Sequence, residues 1–160
     1  MFDYCALCNY FANIEEKDSC NYYADKAVSL SGRVDGIDDD AILSNVSHSF
    51  LKARLYSKAI DARIKIRDSY ASKYGVESVQ MINQLRLLAD FYMQSGDKPN
   101  ALKFAKQEEE LSYKLRDVGT DFDQRISYAE SFQYLRYIIQ ECEYVSTGVS
   151  YLINVLNKGQ

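Results

Sequence analysis

One proline and seven glycines in 160 residues leave the chain few points at which regular structure must stop, and tryptophan is absent. So few breakers favour long helices over many short strands. Nor is there an Arg/Lys-rich run. A net charge of −4 and a pI near 5.0 argue against a nucleic-acid or anionic-membrane surface. The longest uncharged run, Tyr144 to Asn157, is too short to span a bilayer and contains Ser, Thr, Gly and Asn. The opening MFDYCALCNYFANIEE lacks a basic region and carries Asp3, so it reads poorly as a signal peptide. With no export signal, the four cysteines are expected as reduced thiols in a cytoplasmic protein.

What the chain does have is an ordinary soluble composition, 47% apolar and 26% charged, in a length that suits one domain over residues 1–160. It also has an internal repeat. In LLADFYMQSGDKPNALKFA (87–105) the pattern is Leu88, small Ala89, aromatic Tyr92, turn Gly96, small Ala101 and Ala105. The same spacing gives Val46, Ser47, Phe50, Arg54, Ala59 and Arg63 upstream, and before that Leu7, Cys8, Phe11, Glu15, Cys20 and Ala24. A degenerate fourth copy runs through Tyr134, Leu135, Ile138, Cys142, Thr147 and Tyr151. A small residue on each side of a turn lets two helix axes approach, because interaxial distance follows the side chains at the contact.

Cap signals agree with this reading. Gly32, Gly75 and Gly119 follow apolar-periodic stretches and suit left-handed C-terminal positions. DGIDDD (35–40), Ser78 and TDFDQ (120–124) supply N-caps, Asp121 and Gln124 fit a capping box, and Pro99 falls in a first turn after Asp97. Eight helices are expected, over 2–15, 18–31, 40–53, 56–73, 79–94, 98–116, 122–140 and 143–157. No segment alternates with period two, so no sheet is expected.

The run Leu85-x2-Leu88-Ala89-x2-Tyr92, then Gly96-Asp97, then Ala101-x3-Ala105, resembles the tetratricopeptide repeat family. The stretch KIRDSYASKYGVESVQMINQLRLLADFYMQSGDKPNALKFAKQEEELSYKL (65–115) looks more specifically like the longer repeats of kinesin light chains. Leu85 and Ala89 stand where the family usually has Trp and Gly, and its closing Pro is absent. The resemblance implies an all-α, right-handed solenoid of about four hairpins (about 2–31, 40–73, 79–116 and 122–157). It also implies a concave groove, lined by the first helices, that holds peptides. Carried across, the inward positions are Asn9 and Asn13, then Ser44, His48 and Lys52, then Arg86, Asp90 and Gln94, and last Arg136 and Gln140. That face mixes amides with Lys52, Arg86 and Arg136 against the single carboxylate of Asp90, in a chain that is acidic overall. Asn can clamp a peptide backbone and Lys or Arg can hold carboxylates, so the expected partner is an acidic or C-terminal peptide. The competing reading of this face is a solvated surface with no ligand.

Chemistry-bearing motifs are sparse. CALC (5–8) with Cys20 resembles half a zinc site, but the sole histidine is His48 and Cys142 lies at the far end. Cys8 and Cys20 occupy the small-residue slots of the first hairpin, so they are expected to pack together as buried neighbours. His48 has no nucleophile signature to serve. DGIDDD lacks the alternating acidic spacing of a calcium loop and reads as a solvated cap, and EEE (108–110) reads as an exposed helix face. No Gly-rich phosphate loop occurs. The expectation is therefore an interaction scaffold without catalysis, metal or cofactor. Two alternatives remain open. One is a structural oligomer using the apolar face of Tyr144, Val145, Val149, Leu152, Val155 and Leu156, which either continues a longer array or pairs with itself or a partner. The other is a metal- or redox-responsive domain using Cys5, Cys8 and Cys20.

Overall fold

Three turns in this chain are built alike, and they explain where its helices stop. In the computed structural model, which describes residues 2–30, 38–115 and 129–142, Glu15 and Arg54 have φ of 58° and Gly96 has φ of 84°. The next amide, of Glu16, Leu55 or Asp97, donates back to the carbonyl of Phe11, Phe50 or Tyr92 at 2.8–2.9 Å. The left-handed residue's own amide donates to Ala12, Leu51 or Met93. This is the Schellman arrangement, which satisfies carbonyls that a helix end would otherwise orphan. Each turn then restarts at once: Cys20, Ala59 and Ala101 donate to Glu16, Leu55 and Asp97.

The helices are α1 (Phe2–Asn13), α2 (Lys17–Leu30), α3 (Asp39–Lys52), α4 (Tyr56–Tyr74), α5 (Val79–Ser95) and α6 (Lys98–Leu115). A further helix, α7, covers residues 129–142. Among the described residues every regular element is a helix. The described ends fall within two residues of the sequence expectation, α7 reaching 142 against the expected 140; its expected start at 122 lies outside the described residues. The expected helix over 143–157 lies outside the described residues, as do Gly32, Gly119, the 120–124 cap with Asp121 and Gln124, and Thr147 and Tyr151 of the fourth copy.

Packing follows from the small residues. Cys8, Ser47 and Ala89 on the first helices, and Cys20, Ala59 and Ala101 on the second, are all 0% exposed. The Cys8 and Cys20 sulfurs lie 3.5 Å apart, the neighbours that their shared slots imply. Beside them Phe11 stacks on Tyr23 (ring centroids 5.3 Å apart) and, at the matching positions, Tyr92 stacks on Phe104 (5.4 Å). Thus α1 packs on α2, α3 on α4 and α5 on α6, while α1 and α2 both meet α3, and α4 meets α5. Ile138 of α7 is buried in a cluster with Leu85, Leu88, Phe104 and Ala105.

Two caps differ from expectation. Gly75 has positive φ (85°) but an extended ψ of 156°, so the chain leaves α4 stretched out rather than in a left-handed helical turn. Ser78 makes no side-chain cap to α5; its hydroxyl donates back to the Gly75 carbonyl at 2.9 Å and pins that loop. The Asp38 cap is as expected, its carboxylate accepting from the Asp40 amide at 3.1 Å. Asp97 likewise accepts from the Asn100 amide and side chain, and Pro99 sits in the first turn of α6.

The equivalence of the three turns is measurable. A left-handed backbone costs a side chain about 1–2 kcal/mol, a penalty glycine escapes. Gly96→Ala is expected to lower unfolding free energy by about 1 kcal/mol, whereas Arg54→Gly raises it by about 0.5 kcal/mol, in urea denaturation. The exposed Arg54–Glu15 pair (3.3 Å) that the latter removes contributes little.

Candidate functional site

The α1–α3 contact brings Asn9 and Lys52 together, with Lys52 Nζ donating to Asn9 Oδ1 at 2.8 Å across two hairpins. They border a cleft of about 430 Å³ lined by Cys5, Ala6, Asn9, Asn45, His48, Ser49 and Lys52. The cleft therefore holds two amides, an imidazole and a cation, and its lining contains no carboxylate. Asn13 is exposed one turn further along α1.

Behind His48 lies a residue that sequence reasoning missed. Arg63 is 2% exposed, and its Nη2 reaches Ser44 Oγ (3.2 Å), Ser47 Oγ (3.3 Å) and His48 Nδ1 (3.3 Å). Its guanidinium also lies 5.2 Å from the centre of the Phe91 ring, which His48 meets edge-on. No carboxylate among the described residues bonds to it, and Nε has no partner. Burial depresses its pKa. The Ser44 carbonyl accepts from the Ser47 hydroxyl at 2.8 Å, which turns that oxygen's lone pairs toward Arg63. His48 Nδ1 lies 2.8 Å from the same carbonyl, so it can donate there or accept from Arg63 but cannot do both. A signal was present in the sequence: Arg63 occupies the slot held by Ala24 and Ala105.

The other half of the predicted face is arranged differently. Arg86, 29% exposed at its side chain, donates from Nε to Glu108 Oε1 at 2.8 Å and from Nη2 to Ser131 Oγ at 3.2 Å. It also lies over the Tyr134 ring. Asp90 accepts from the Tyr134 hydroxyl at 2.6 Å. Arg86 and Asp90 thus join α5 to α7, while Gln94, Arg136 and Gln140 are exposed. Glu108 corrects the reading of 108–110 as a wholly exposed face: it is 0% exposed, one turn from Ser112, whose hydroxyl lies 2.9 Å from that of Ser131. Burial raises the Glu108 pKa, against the lowering effects of Ser131 and Arg86. Removing one partner of such a pair costs about 3 kcal/mol, because the other is left buried and unsatisfied.

DGIDDD is also only partly a solvated cap. Asp40 is 6% exposed and accepts from Lys73 Nζ at 2.6 Å and Ser69 Oγ at 3.0 Å, tying α3 to α4. As for the cysteines, burial raises the pKa of Cys5, Cys8 and Cys20, the last to about 12. Thiols held protonated are poor nucleophiles and poor metal ligands. No group of three or more His, Cys, Asp or Glu suited to a metal occurs among the described residues. Likewise, no helix among them is long and apolar enough to cross a membrane. The six apolar positions from Tyr144 to Leu156 lie outside the described residues.

Two outcomes follow for stability. Glu108→Gln keeps an acceptor for Arg86 and Ser131 and is expected to change unfolding free energy by less than about 1 kcal/mol, against a loss of about 3 kcal/mol for Glu108→Ala. For Cys20 the folded thiol titrates above the unfolded one, near 8.5. Its contribution is complete below that pH and lost as pH rises toward about 12. Melting temperature should therefore fall more between pH 8 and pH 10 in the native chain than in Cys20→Ala. The chain matches no family model and no curated protein.

Proposed function

We propose that the chain is a right-handed solenoid of about four tetratricopeptide-like hairpins, a cytoplasmic protein-interaction module that holds an acidic or C-terminal peptide and catalyses no reaction. The three turns with one hydrogen-bond pattern and the matching small-residue contacts support the repeat. The observation that carries the binding reading is the composition of the α1–α3 cleft: Asn9, Asn45, His48 and Lys52 with no lining carboxylate, in a chain of net charge −4.

Arg63 strengthens the sign of that region from behind. A buried guanidinium whose hydrogen-bonding partners are neutral leaves its positive charge uncompensated, and a low-dielectric surrounding lets the field reach further. Lys52 is exposed, so an entering carboxylate can exchange its water for that ammonium, while Asn9 and Asn45 present donors and acceptors to a peptide backbone. Along the same face, Arg86 is neutralised by Glu108, so binding is assigned to the α1–α3 end rather than spread evenly.

Fluorescence anisotropy with labelled acidic decapeptides, bearing either a free or an amidated C-terminus, tests this directly. Lys52→Glu is expected to weaken binding at least tenfold, about 1.4 kcal/mol, with helicity unchanged. Affinity indifferent to that substitution, or no affinity for any acidic peptide, would remove the proposal.

A further inference from the structure

His48 is the sole histidine of the chain, and the atoms around its ring decide which of its two nitrogens carries the proton. Nδ1 lies 2.8 Å from the Ser44 carbonyl oxygen and 3.3 Å from Arg63 Nη2. In a neutral imidazole one nitrogen donates and the other accepts. Were Nδ1 the acceptor, its lone pair would face that of the Ser44 carbonyl at 2.8 Å, and two acceptors so close repel each other. Nor does Arg63 need it. Nη2 carries two protons, and the hydroxyls of Ser44 and Ser47, at 3.2 and 3.3 Å, can take both. The carbonyl has a lone pair for each of two donors, and Ser47 Oγ and His48 Nδ1 each stand 2.8 Å from it. The proton therefore belongs on Nδ1, and Nε2 keeps its lone pair.

The setting of the ring gives that lone pair a use. Its Nδ1 edge is held by Ser44 of α3 beside Arg63 of α4, and the ring packs T-shaped on Phe91 of α5. Yet His48 is exposed and lines the α1–α3 cleft, and Nε2 hydrogen-bonds to no described residue. The acceptor is thus presented by a ring whose orientation is already fixed, which lowers the ordering cost of using it.

The neighbours supply the complementary groups. Lys52 follows His48 by four residues on α3, so their Cβ atoms lie about 5–6 Å apart on one face. The ammonium can only donate, whereas this imidazole nitrogen can only accept. Asn9 and Asn45 can each meet both the N–H and the C=O of a peptide backbone. A carboxylate suits Lys52 but not Nε2, where lone pair would meet lone pair. Nε2 calls for an O–H or N–H on the ligand, close to the acid. In an extended peptide, side chains two residues apart share a face at about 7 Å, which fits the spacing of His48 and Lys52.

We infer that His48 makes the cleft selective for acidic peptides carrying a serine or threonine hydroxyl two residues from the acid. Lys52 takes the carboxylate, and Nε2 accepts the hydroxyl proton in a hydrogen bond. This selectivity rests on the cleft binding acidic peptides, as proposed above, and adds the group that is read beside the acid.

Three labelled decapeptides test it, with aspartate at every fourth position and serine, alanine or O-methylserine midway between. O-methylserine keeps the oxygen and loses the proton. In fluorescence anisotropy the native chain is expected to bind the serine peptide about fivefold more tightly than the other two, the worth of one hydrogen bond. His48→Phe keeps a ring against Phe91 but has no nitrogen, and should bind all three as the native chain binds the alanine peptide. Equal native affinity for the three, or a serine preference that persists in His48→Phe, overturns the selectivity. If Lys52→Glu still weakens all three, the cleft remains the acidic-peptide site. Binding of none of them overturns both readings. A second measurement needs neither variant nor peptide: ¹⁵N NMR of the single imidazole in the free protein at pH 8 should place the proton on Nδ1. A proton on Nε2 overturns the selectivity whatever the peptides do.

Discussion

The close approach of paired helices is the constraint on which the rest of this structure depends. Six slots, Cys8 with Cys20, Ser47 with Ala59 and Ala89 with Ala101, are filled by small side chains with no exposed surface. A Schellman turn between the two members of each pair sets the phase at which the two helices meet. Neither device is sufficient by itself. A tight turn without small residues would splay the helices, and small residues without the turn would leave their phase free. Together they make each hairpin a rigid unit whose remaining apolar face has to be covered by something else.

That cover is where the hairpins diverge. The first junction is built from small apolar groups such as Ala12, Ala24, Ala27, Val46 and Ala53. At the second, Arg63 is wedged among Ser44, Ser47, His48 and Phe91. At the third, Glu108 is buried against Arg86 and Ser131, and the Ser131 hydroxyl also meets that of Ser112. Buried polar groups add little net stability beside packed hydrocarbon, but they penalise any register that leaves them unbonded. The second junction thus buries a cation with neutral partners, and the third buries an ion pair. The surroundings of Lys52 and Arg63 are therefore positive, whereas the charge of Arg86 is neutralised.

Much of this architecture could be read directly from residue spacing. Helix existence and ends, the equivalence of positions 15, 54 and 96, and the proximity of Cys8 to Cys20 all follow from local pattern. They depend on residue size and on backbone bonds no more than a turn apart. The candidate site was less legible. Asn9, His48 and Lys52 were placed on one face by register, and the structure brings them to one cleft. Arg86 and Asp90 were placed on that face too, but their side chains turn to Glu108 and Tyr134, partners 22 and 44 residues away. Arg63, Glu108 and Asp40 looked like an irregular slot, a charged surface run and a solvated loop, and each is buried.

The sequence by itself determined that the described residues are helical and that three of their turns are built alike, because helix periodicity, capping and small-residue contacts act over one or two turns. Only the tertiary structure decided which charges are spent inside the protein and which face solvent. Long side chains such as Arg63 and Arg86 reach far enough to choose among partners on several helices. Their choice depends on which acceptors the neighbouring hairpin presents once packed, and local spacing carries no record of that.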